Sequence, residues 1–176
     1  MAVIRKQISA SAAPHRDVVT SLEALHQRLK TAGLTGVPMN INAVAEFLGL
    51  DVIEEIMDDD LSGYLEFRQG AWVAGVNALH HKNRQRFTIA HEIAHYVLHR
   101  DRAASFHDQT FARRASSTDQ MEKEADRFAA NLLMPEGSVR QAIQNGATSV
   151  AALAEIFGVS ALAMKYRVQT LGYQVA

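Results

Sequence analysis

In the stretch FTIAHEIAHYVLH, Phe87 to His99, three histidines and a glutamate interrupt an otherwise mostly apolar run. Ionisable side chains are costly to bury unless something compensates them, so a hydrophobic helix that carries four must use them. At about 100° per residue, Ala90, Ala94, Val97 and Leu98 fall near Phe87 as a buried stripe. His91, Glu92, His95 and His99 gather in the adjoining sector. His91 and His95 stand one turn apart, a spacing at which two imidazoles can close on one tetrahedral ion. Glu92, beside them, can reach a water on that ion. The pattern H-E-x-x-H thus supplies two ligands and a general base for metal-assisted hydrolysis of a peptide bond. His99 lies about 12 Å along the axis from His91. It is too far to share one ion with both histidines and reads as cleft-lining or structural.

A catalytic zinc site needs a third protein ligand and an open position for water. The chain has no cysteine, so that ligand is histidine or carboxylate. The segment QMEKEADRFAANLLMP offers one. On its helical wheel Glu122 shares a side with Ala125, Asp126, Ala129, Leu132 and Leu133, whereas Glu124 falls opposite with Arg127 and Asn131. Glu122 is then an inward carboxylate in need of a partner, either an ion held by His91 and His95 or a buried arginine. Glu124 reads as solvated. Asp126, one turn on, is placed to accept a hydrogen bond from the outer N–H of a ligand imidazole, or to be an ordinary helix-face carboxylate. Two histidines and a glutamate suit Zn2+. His15, His26, His80, His81 and His107 have no partner at ligand spacing and read as surface or core residues.

These side chains need helices to hold them. Val18, Leu22, Leu25 and Leu29 recur at helical spacing from Asp17, a cap, to Gly33. Asn42 can cap a short helix ending at Gly49. The segments DVIEEI and LSGYLEFRQGAWVAGVN change period and predict a small, mainly antiparallel sheet of about three strands. Asp51–Ile56 comes first, with a hairpin turn at Gln69-Gly70. The active-site helix is expected from about Arg84 to Arg100. Residues 101–118 read as a long loop, and a second helix as running from Asp119 to about Met134, stopped near Pro135. Three short helices punctuated by glycine complete the chain. The expected organisation is an N-terminal arm over residues 1–14 with a short strand at Val3–Ile8, a peptidase-like domain over 15–136 and a helical subdomain over 137–176.

FTIAHEIAHYVLH followed by MEKEADRFAANLLMP resembles the ImmA/IrrE family of zinc metallopeptidases. The family pattern is H-E-x-x-H on one helix and E-x-x-A-[DN]-x-F-A-x-x-L-L-M-P on another. Here the second motif is Glu122, Ala125, Asp126, Phe128, Ala129, Leu132, Leu133, Met134 and Pro135. The resemblance extends over most of residues 38–172, including VNALHHKNRQRFTIAHE and VAALAEIFGVSALAMKYRV. It implies an α+β, thermolysin-like zincin with His91, His95 and Glu122 on zinc and Glu92 in catalysis. It further implies a protein substrate, an Xre-type helix-turn-helix repressor whose cleavage relieves repression.

The strand GAWVAGVN is expected at the sheet edge beside the cleft, where an extended substrate could pair with it. Tyr96, His99 and His107 are candidates for stabilising the tetrahedral oxyanion. The net charge of -1 leaves no overall basic footprint for nucleic acid or anionic membrane. No run approaches the roughly 18 apolar residues of a membrane span. The start MAVIRKQISASAAPHRD lacks the long apolar segment of a signal peptide, so a cytoplasmic protein is expected. The tail SVAALAEIFGVSALAMKYRVQTLG is helix-turn-helix-like, which raises a rival reading as a DNA-binding or metal-binding regulator without turnover. The would-be recognition helix opens Ser160, Ala161, Leu162, Ala163, Met164, and base readout asks for polar or basic side chains there. That argues for a packing unit and against direct DNA binding. A metal-binding scaffold would have no need of Glu92.

Overall fold

The computed structural model describes residues 18–109 and 117–174. The expected arm over residues 1–14, its strand at Val3–Ile8, His15 and the Asp17 cap lie outside them. The first helix, α1 (Leu22–Thr31), starts later than its periodicity implied. The Ser21 hydroxyl accepts from the Ala24 N–H, and Val18 stays exposed. The cap of α2 (Ile41–Leu48) is Asn40 and not Asn42, because the Asn40 carboxamide oxygen accepts the Ala43 N–H at 3.1 Å.

The strands are β1 (Asp51–Glu55), β2 (Leu61–Arg68), β3 (Ala71–Asn77) and β4 (Ser105–Gln109). They form one four-stranded sheet in the order β1-β3-β2-β4. The hairpin expected between β2 and β3 is present. Gln69 and Gly70 both have positive φ (52° and 83°), the geometry of a two-residue turn matched to strand twist. The sheet is mainly antiparallel, as expected, with one parallel pair where β1 runs alongside β3. One expectation fails: GAWVAGVN, as β3, is an interior strand between β1 and β2. The edge next to β2 is β4, which falls inside the segment read as a long loop and pairs antiparallel through Leu65↔Phe106 and Tyr64↔His107.

One long helix, α3 (Lys82–Leu98), lies across the sheet against β2 and β3, and a second, α4 (Ser117–Leu133), packs on α3. α3 is buried almost all round between Thr88 and His95, not only along the expected stripe. Ile93 and Ala94 face the core together with Leu65, Ala74 and Val76 of the sheet and with Ala125, Ala129 and Leu132 of α4. The chain closes with α5 (Glu136–Gln144), α6 (Val150–Phe157) and α7 (Ala161–Thr170). Their Leu153, Phe157, Met164 and Val168 join the same buried cluster. Arg86 of α3 ties the α6–α7 turn down: its Nε donates to the Gly158 carbonyl at 2.9 Å and its Nη2 to the Met39 carbonyl at 2.9 Å. Arg167 of α7 donates from Nε to the Met134 carbonyl at the end of α4. Among the described residues no helix is long and apolar enough to cross a membrane.

Candidate metal centre

α3 and α4 pack side by side and bring their polar side chains together in the protein interior. His91 and His95 are each 1 % exposed, Glu122 5 % and Glu92 not at all. The two imidazoles point their Nε2 atoms at one place, 3.0 Å apart. Glu122 of α4 meets both, with Oε2 at 3.1 Å from His91 Nε2 and Oε1 at 3.3 Å from His95 Nε2. The three residues offer ligand atoms that all lie within 4.8 Å of one another.

These distances can be tested against a metal. Four donors placed tetrahedrally about 2.0–2.1 Å from zinc lie about 3.3 Å from one another, close to the separations found. The chemistry of the donor set agrees. Two bare imidazole nitrogens facing each other at contact distance repel unless a proton or a cation stands between them, and a buried carboxylate beside them adds the negative charge a cation wants. Burial, the leading influence, pushes the His95 pKa down and favours the neutral imidazole that ligation requires. Burial alone would push the Glu122 carboxyl up. Hydrogen bonds from His91 and His95 outweigh it and hold Glu122 well below the ordinary carboxylate range, so it is ionised.

The outer nitrogens are also engaged. Asp126 is half-exposed, and its Oδ1 lies 3.0 Å from His91 Nδ1. His95 Nδ1 lies 3.0 Å from Nδ1 of His99, which is fully buried. His99 Nε2 in turn meets Glu124 Oε2 at 3.0 Å. Glu124 stays partly exposed but also meets His99, because the C-terminal end of α3 lies within its reach. Phe106 of β4 stacks on the His95 ring, with centroids 4.7 Å apart and planes 17° from parallel.

Glu92 lies next to strand β2. A Cβ added to Gly63 would come 3.3 Å from Glu92 Oε1 and 2.4 Å from Thr88 Cγ2, so the absent side chain is what lets α3 sit this close to the sheet. Gly63, Phe106 and Glu124 were not identified as site residues from sequence, and His99 was read as cleft-lining or structural and as an oxyanion candidate, not as a partner of His95. The signal for His99 was the repeated i, i+4 spacing from His91 through His95. The three oxyanion candidates fare poorly. Tyr96 donates its hydroxyl to the Leu48 carbonyl, His99 is enclosed, and His107 is exposed on β4 with its ring 6.0 Å from Tyr64. A separate cleft of about 920 Å³ runs between α4 and α7. Asp126 is on its wall, but His91, His95 and Glu122 are not, so it lies behind His91.

No curated protein sequence matches the chain. Residues 45–169 match the family model described as the IrrE N-terminal-like domain, peptidase family M78. That span holds both long helices, the sheet and α5 to α7, well over half of the chain. The chain therefore belongs to the ImmA/IrrE family of metallopeptidases, with a mixed α+β architecture of a small four-stranded sheet and seven helices among the described residues.

Proposed function

We propose that this protein is a zinc-dependent endopeptidase in which His91, His95 and Glu122 hold the metal, Glu92 is the general base and Asp126 orients His91. The observation that carries the reading is the convergence of three buried donors from two helices, beside a buried glutamate that the ion does not need as a ligand. Zinc, when bound, supplies a Lewis acid for the scissile carbonyl and acidifies a water toward neutrality. Glu92 takes the proton from the attacking water and passes it to the leaving amine. An extended substrate would pair with β4, the edge strand that carries Phe106 against His95, and not with β3.

The substrate we propose is a protein, an Xre-type helix-turn-helix repressor, by the family resemblance. The rival reading as a DNA-binding regulator finds little support in α7. Its first turn presents Leu162, 60 % exposed, Met164 is buried, and Arg167 is spent on the Met134 carbonyl. The helices from residue 137 onward read better as a packing unit for the peptidase.

The test is incubation of the zinc-loaded protein with candidate repressors, followed by mass spectrometry of the products. A single cut made by wild type and not by Glu92→Gln supports the proposal. Equal cutting by both would remove Glu92 from the mechanism.

A further inference from the structure

We propose that His99 and Glu124 form a positioning relay for His95, setting its tautomer and ring orientation so that Nε2 faces the metal. The inference rests on His95 being a ligand, as proposed above.

The hydrogen-bond chain admits one consistent assignment. For His95 to offer a bare Nε2, its single proton must be on Nδ1. Among the described residues that nitrogen meets His99 Nδ1, 3.0 Å away, which must then accept. His99 in turn carries its proton on Nε2 and donates it to Glu124 Oε2 at 3.0 Å. Gln120 Nε2 donates to the other Glu124 oxygen at 3.1 Å and steadies the carboxylate. With His99 in its other neutral tautomer, its Nδ1–H would point at the His95 Nδ1. That would place the His95 proton on Nε2, where it blocks ligation. The carboxylate of Glu124 thus decides, through His99, which nitrogen of His95 is free.

The surroundings suit a fixed relay. His99 has no exposed surface, and its backbone N–H is held by the His95 carbonyl at 2.8 Å. Phe106 stacking leaves the His95 ring little room to rotate. The two ligand histidines are then supported differently. His91 meets a half-exposed carboxylate directly, whereas His95 reaches its carboxylate through a buried imidazole. Glu122, Glu124 and Asp126, all on α4, would serve as ligand and as the two outer anchors.

The test is zinc affinity, measured by competition with a chromophoric chelator, alongside the melting temperature of the metal-free chain. Losing an outer partner of a ligand histidine typically weakens metal binding roughly 10–100-fold. We expect that loss in His99→Leu, which keeps the bulk but neither accepts nor donates, and partial recovery in His99→Gln, whose amide can do both. Glu124→Ala, at a partly exposed position that folding tolerates, should weaken zinc binding on its own. In the double variant with His99→Leu the losses should not add. A Co2+-loaded His99→Leu chain should show an altered visible spectrum. A purely structural role for His99 would lower the melting temperature of the metal-free chain but leave affinity and spectrum as in wild type, and that result overturns the relay. Should His99→Leu fail to fold, Glu124→Ala decides: affinity within about threefold of wild type, far short of the usual loss, overturns it. Failure of wild type to bind zinc through Glu122 would instead bring down the proposed metal site, and the relay with it.

Discussion

His91, His95 and Glu122 approach one another through their donor atoms in the buried interior, with Asp126 and His99 on the outer nitrogens of the two imidazoles. Each alone would be a costly burial, and together they could hold a cation. Glu92 differs from them in having no place in the ligand set. Glu92→Gln should keep zinc at the wild-type level and lower turnover by about 100- to 10,000-fold, the usual scale for a lost general base. Metal content and product formation measured on the same sample check this, and metal lost together with activity would contradict it. Much of this scale was readable in the sequence. The H-E-x-x-H spacing gave the two imidazoles, and the helical wheel separated Glu122 from Glu124 and placed Asp126. The contact of Glu124 with His99 was missed because a wheel describes one helix in isolation. Its side chain meets His99 only because the end of α3 lies beside the first turns of α4.

At the scale of elements, α3 lies on β2 so closely that Gly63 has no room for a methyl group. Gly63→Ala would bring Cβ within 2.6 Å of the Gly75 carbonyl oxygen on the neighbouring strand as well as against Thr88. We expect a stability loss of about 1–3 kcal/mol from this overpacking, seen as a lower urea midpoint, and a displaced Glu92. An unchanged midpoint would mean the strand yields freely. Helix α1 supplies a pH-dependent contribution. Burial holds the pKa of His26 below the ordinary histidine value of 6.5, so the folded chain keeps it neutral. Its contribution is fully present above that value and is lost as pH falls, because the unfolded chain binds the proton more readily. In metal-free protein, unfolding free energy should therefore decline from pH 7 toward 5, and His26→Gln should flatten the slope relative to wild type. An identical slope in both would assign the dependence to other groups, such as His95, which shifts the same way. The helix α4 was legible because its apolar periodicity is strong, and α3 because its long apolar run carries the H-E-x-x-H spacing. The edge strand β4 was not: five residues, SFHDQ, carry one large apolar side chain, and pairing with β2 comes from tertiary contact. The position of β3 was missed for a similar reason. A hairpin signal fixes β3 beside β2 but does not say that β1 will dock parallel on its other side.

For the molecule as a whole, one hydrophobic cluster runs from α1 through the sheet and both long helices to α7. Arg86 stitches three parts of it, the approach to α2, the helix α3 itself and the α6–α7 turn. Arg86→Ala would strip three carbonyls, those of Met39, Gly158 and Phe157, of a donor, and we expect a loss of about 1–3 kcal/mol with one cooperative unfolding transition retained. Two separate transitions would mean that the last helices come away on their own. On the proposed reading this framework holds three ligands, His91, His95 and Glu122, on one metal. The most direct test of that reading is elemental analysis of wild type and Glu122→Ala, purified with no metal added. The account predicts about one zinc per wild-type chain, as a single three-ligand site requires, and little in the variant. No zinc in either, or equal zinc in both, would contradict it.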